Sequence, residues 1–88
     1  MLNAKEVKKG MVGTDCCGNE WTVIKKSKAS SFKGLMKYDS AGWITTDFLE
    51  TAADKYEIDV KKDYLVAVEN GFGETAVFTY GMEGFSVE

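Results

Sequence analysis

The strongest constraint on the fold lies between Asp63 and Tyr80. From Asp63 to Glu69, Tyr64, Val66 and Val68 alternate with Leu65 and Ala67. A period of two is what an extended strand turns into two distinct faces. Asn70-Gly71-Phe72-Gly73 follows as a turn, and Asn-Gly is a strong hairpin signal. Thr75 to Tyr80 then alternates again, with Ala76, Phe78 and Tyr80 set against Thr75, Val77 and Thr79. A chain with this hairpin is committed to an antiparallel sheet.

The rest of the sequence extends that sheet. Met11 to Thr14 reads as a short strand and Cys17-Gly18-Asn19 as a turn. Glu20 to Lys26 reads as a second strand, with Trp21, Val23 and Lys25 on one face and Thr22, Ile24 and Lys26 on the other. Residues 1–10 suit a short helical turn or an extended lead-in. Ser27 to Gly34 is expected to be a basic loop, Leu35 to Tyr38 a strand, and Trp43 to Thr46 its hairpin partner across Asp39-Ser40-Ala41-Gly42. Residues 47–57 change period: Phe48, Leu49, Ala52, Ala53 and Tyr56 recur at helical spacing. Asp47 and Glu50 fit an N-terminal capping arrangement, so one short helix is expected there. Phe85 to Val87 adds a short last strand after a bend bracketed by Gly81 and Gly84. With 88 residues this is one domain. Its class is α+β, mainly β: a small, strongly bent antiparallel sheet or SH3-like barrel of five to seven strands with one short helix.

One stretch carries a family resemblance. Gly34-Leu35-Met36-Lys37-Tyr38-Asp39-Ser40-Ala41-Gly42-Trp43-Ile44-Thr45-Thr46-Asp47-Phe48-Leu49 resembles the last half of a bacterial SH3-like domain. The likeness lies in a strand, a small polar turn, Gly-Trp-Ile, two small polar residues, then an aromatic and Leu. Val7-Lys8-Lys9-Gly10 also resembles the lysine-glycine step before a strand in that family. The resemblance implies architecture and brings no ligand residues with it.

Composition narrows the chemistry. The chain has no His, Pro, Arg or Gln, and all 11 of its basic residues are Lys. That removes His-based catalysis, His-ligated metals and bidentate arginine recognition. Codons for Pro, His and Gln, and most of those for Arg, begin with C, so the absences point to an AT-rich gene of phage or low-GC bacterial type. Cys16 and Cys17 are adjacent and cannot complete a zinc site without further ligands, so free thiols are expected. General acid–base work would fall to carboxylates, Lys or Tyr. The acidic run Asp47, Glu50, Asp54, Glu57 and Asp59 reads instead as a solvated helix face. No enzyme activity, cofactor or metal is therefore expected. No apolar run reaches the roughly 18–20 residues of a membrane span. Met1 to Glu6 does not read as a signal peptide, so a cytoplasmic protein (host cytoplasm if viral) with no membrane contact is expected.

Charge supplies the functional candidates. Residues 1–40 hold eight Lys and four acids; residues 41–88 hold three Lys and ten acids. An acidic face with aromatic anchors is expected at Glu69, Phe72, Glu74, Glu83 and Phe85, where Phe72 and Phe85 lie beside glycines. Such a face suits a basic surface on a host protein, such as a defence nuclease complex or the transcription machinery. The leading expectation is thus a non-enzymatic, phage-type accessory protein that binds and inhibits a host protein. The alternative is an SH3-like nucleic-acid module. Its patch would comprise Lys25, Lys26, Lys28, Phe32, Lys33 and Lys37, with RNA or single-stranded DNA as the partner. Lysines would contact phosphates, and aromatics would stack on bases. A third reading is self-assembly through the Thr75 to Tyr80 strand edge.

Overall fold

The computed structural model describes residues 1–40, 62–81 and 84–88. Among these are five strands: β1 (Val12–Asp15), β2 (Glu20–Lys28), β3 (Tyr64–Glu69), β4 (Thr75–Thr79) and β5 (Phe85–Ser86). A 3-10 turn (Ala4–Glu6) precedes them, and a kinked 3-10 helix (Ala29–Tyr38) follows β2. The strands form one open antiparallel sheet in the order β4-β3-β2-β1-β5. A single bridge between Tyr80 and Phe85 links the two edges. The expected helix at 47–57 and the strand at Trp43 to Thr46 lie outside the described residues.

Strand alternation works as the sequence requires. Leu65, Ala67 and Val77 face one side of the sheet, where Ala29, Phe32 and Leu35 of the 3-10 helix cover them. Val66, Val68, Ala76 and Phe78 face the other side, packed with Val7, Val23, Phe85 and Val87. Both faces of β3 are therefore buried, which explains why it reads as an almost continuous apolar run.

Three local expectations are corrected. The segment 29–38 is neither a basic loop nor a strand. Ala29, Phe32 and Leu35 are buried three residues apart, and Tyr38 packs against the same cluster. A spacing of three stacks side chains on one face of a 3-10 helix, so burial of that stripe selects the helix. In β2 the register shifts between Val23 and Lys25, which pair with Val68 and Ala67 in turn. This bulge puts Lys26 opposite Val66 and so on the same face as Trp21 and Val23, reversing the expected assignment of Lys25 and Lys26. Phe85, expected to be exposed beside its glycine, is fully buried. Its ring stacks on Phe78 at 6.5 Å and meets Tyr80 edge-on at 6.4 Å.

Phe85 reaches that position because two glycines let backbones approach. A Cβ on Gly13 would overlap the Ser86 carbonyl oxygen and lie 2.6 Å from the Phe85 ring; one on Gly84 would overlap the Thr79 carbonyl oxygen. The same end of the core is clasped by Tyr80, whose hydroxyl donates to the Leu2 carbonyl and accepts from the Val87 N–H. The Leu2 N–H donates to the Val87 carbonyl at 2.7 Å.

Candidate interaction face

Two hairpin turns meet at one end of the sheet. β2 and β3 are antiparallel, with Thr22 opposite Glu69. The start of β2 and the end of β3 are therefore neighbours. The β1–β2 turn and the β3–β4 turn consequently flank one another.

Each turn is organised by a single side chain. In the first, Asp15 Oδ1 accepts from the Cys17 and Asn19 N–H groups, both at 2.9 Å. Its Oδ2 accepts from Asn19 Nδ2 at 3.2 Å and from the Trp21 indole Nε1 at 3.0 Å. Burial pushes the Asp15 carboxyl's pKa upward. The donors, led by the Trp21 indole and then Asn19, outweigh it and hold the group below its ordinary value. Gly18 takes a positive φ of 85°, which closes the turn. In the second turn, Asn70 Oδ1 accepts from the Phe72 N–H at 2.9 Å and the Glu74 N–H at 3.1 Å. Asn70 Nδ2 donates to Glu74 Oε1 at 3.0 Å. Side chains that gather backbone N–H groups in this way are the usual reason Asp and Asn favour turns.

The result is a fixed platform. Phe72 stands at its tip, 90% exposed. An open cleft of about 480 Å³ lies between the turns, lined by Asn19, Glu20, Trp21, Asn70, Gly71, Phe72 and Glu74. Asp15, Glu20, Glu69 and Glu74 lie on the two turns and the adjoining strand ends, and residues 15–21 and 69–75 contain no Lys. The expected acidic residues Glu69 and Glu74 and the anchor Phe72 are thus brought together and exposed. Phe85 is not part of this surface, and Glu83 lies outside the described residues. Asn70 was expected as a turn residue, whereas Asp15, Glu20 and Trp21 were not expected at this face. Their signal was the antiparallel pairing itself, which carries the β1–β2 turn to the acidic end.

The lysine-rich alternative is less complete. Lys25, Lys28, Lys33 and Lys37 are exposed. Lys26 instead donates its Nζ to the Ala4 carbonyl at 2.7 Å and lies over the Tyr64 ring. Phe32, the aromatic expected to stack on bases, is 3% exposed and belongs to the core. Lys37 sits over the Tyr38 ring at 5.1 Å. Charge is therefore segregated within the described sheet by its ends rather than by halves of the sequence. Acids collect at the paired turns, and lysines lie along β2 toward Lys28 and on the 3-10 helix after it.

No helix among the described residues is long and apolar enough to cross a membrane. The chain matches no family model, no curated protein and no solved structure.

Proposed function

We propose that this is a non-enzymatic, phage-type accessory protein that binds and inhibits a host protein in the host cytoplasm. Its acidic hairpin-turn face would dock on a basic surface of that target. The observation that carries this reading is Phe72, 90% exposed at the tip of a turn locked by Asn70 and lining one cleft with Glu20 and Glu74. An exposed aromatic on a rigid support loses little entropy on binding, which is the character of an interface hot spot. Surrounding carboxylates speed encounter with a basic partner and select against acidic ones. The target class remains that of proteins that handle nucleic acids, whose basic faces such a surface can occupy in place of phosphate.

For the fold we propose an SH3-like barrel. The five-strand order supports this, since β5 returns to β1 and the Tyr80–Phe85 bridge joins the open edges. Within the resembling segment, Gly34 to Tyr38 lies in the 3-10 helix and not in a strand, and 41–49 lies outside the described residues.

Affinity capture from host lysate tests the function. A host protein should be retained by the wild-type chain and lost when Phe72→Ala or the pair Glu69→Lys and Glu74→Lys is introduced. Retention that is indifferent to these changes, or no retained protein, would defeat the proposal.

A further inference from the structure

The β1–β2 turn also carries the chain's two thiols, which the acidic face does not use. The Asp15 carbonyl accepts from the Gly18 N–H at 3.1 Å, placing Cys16 and Cys17 at the two corners of the turn. Both are free and exposed. Their sulfurs are 4.0 Å apart. A disulfide needs about 2.0 Å, so the pair is not poised for one. At 4.0 Å the sulfurs leave room instead for one larger atom bonded to both. The Cys17 N–H is pinned to Asp15, so bridging the sulfurs requires side-chain rotation more than backbone movement.

The surroundings select the kind of centre. Cys16's sulfur, first by hydrogen bonding and then by its charge, holds the Cys17 thiol above its ordinary pKa, and Asp15 adds to this. Glu20 adds another carboxylate to this end of the sheet. A divalent metal needs deprotonated thiolates, which the neighbouring Cys16 and Asp15 disfavour at Cys17. Among the described residues no group of three or more His, Cys, Asp or Glu side chains could hold such an ion. A trivalent arsenic centre does not have that requirement, because it takes up protonated thiols by condensation and releases their protons in water.

We propose that Cys16 and Cys17 form a vicinal-dithiol site for trivalent organoarsenicals. With phenylarsine oxide, two As–S bonds form and the arsenic–oxygen bonding is broken. The oxygen leaves with both thiol protons as one water. Arsenic stays trivalent and sulfur is not oxidised, so no oxidant or reductant is needed. The ring closes across the turn, beside the Asp15 carboxylate that holds the Trp21 indole.

The test uses the full reduced chain with one equivalent of phenylarsine oxide, read by intact mass and by the Trp21 indole N–H resonance. One adduct per chain is expected, heavier by phenylarsine oxide less one water, together with a shift of that resonance. Stripping it should take about 100-fold more glutathione than stripping the adduct of Cys16→Ser or Cys17→Ser, since chelation raises the effective concentration of the second thiol. Equimolar ethanedithiol should remove it. Overturning results are no adduct, two reagent molecules per chain, or release by glutathione at the same concentration from wild type and the single variants. The serine variants keep the backbone N–H groups that bind Asp15. An unshifted Trp21 resonance in their unmodified forms verifies that the turn is intact.

Discussion

Asp15→Ala is the perturbation that most directly joins fold to face. One carboxylate accepts four hydrogen bonds, from the Cys17 and Asn19 N–H groups, the Asn19 side chain and the Trp21 indole. The three donors from Cys17 and Asn19 are exposed and can turn to water, so each loss should cost only about 0.5 kcal/mol. The part-buried indole cannot, and losing a charged acceptor there should cost about 1.5 kcal/mol. The variant should therefore lose about 3 kcal/mol. Stability of roughly 0.1 kcal/mol per residue would give this chain about 9 kcal/mol. The loss corresponds to a fall in Tm of about 12–24 °C for a domain of this size. Thermal and urea unfolding followed by near-ultraviolet circular dichroism would measure it. The pH dependence provides an internal control. The folded-state pKa of Asp15 is depressed, so its contribution is fully present above the ordinary carboxylate value of 3.8 and is lost as pH falls through the lower folded value. Asp15→Asn cannot titrate, so the wild-type advantage over it should shrink across that acidic window and stay constant from pH 5 to pH 8. A cost below about 0.5 kcal/mol for Asp15→Ala, or an advantage that does not change with acid, would refute the reasoning.

Other substitutions test separate parts of the account. Gly84→Ala should destabilise by about 3 kcal/mol in urea unfolding, because its Cβ would lie 2.6 Å from the Thr79 hydroxyl oxygen and overlap the carbonyl beside it. Phe85→Ala removes a ring with no solvent exposure and should cost about 4 kcal/mol by the same assay. A cost under 1 kcal/mol would place Phe85 on the surface after all. Phe72→Ala should leave stability within about 0.5 kcal/mol of wild type while weakening partner binding about 30-fold in calorimetry. Phe32→Ala should act as a core deletion costing about 4 kcal/mol; loss of nucleic-acid binding with unchanged stability would reverse its assignment.

The β3–β4 hairpin was legible because period-two alternation and the Asn70-Gly71-Phe72-Gly73 turn are both local signals. The 3-10 helix at 29–38 was misread because lysines and serines between its buried positions resemble a solvated loop. The decisive clue was a spacing of three among Ala29, Phe32, Leu35 and Tyr38. The bulge in β2 left no local mark, since it depends on how Val23 and Lys25 pair with β3. Phe85 was misjudged for a related reason. The adjacent Gly84 suggested exposure, but Gly13 and Gly84 serve instead to let strands close over the ring. At the interaction face, Glu69, Phe72 and Glu74 came from charge and turn chemistry alone. Glu20 and Trp21 join them only through tertiary pairing, nearly fifty residues away along the chain.

The most direct test of the central claim is a pair of nuclear magnetic resonance titrations of the labelled chain. One uses a lysine-rich peptide, the other a single-stranded oligonucleotide, both at low salt. Peptide-induced shifts should be confined to residues 15–21 and 69–75, centred on Trp21 and Phe72 and abolished by the pair Glu20→Lys and Glu74→Lys. Shifts centred on Lys25, Lys28, Lys33 and Lys37 with the oligonucleotide, and none at the paired turns with the peptide, would contradict the claim.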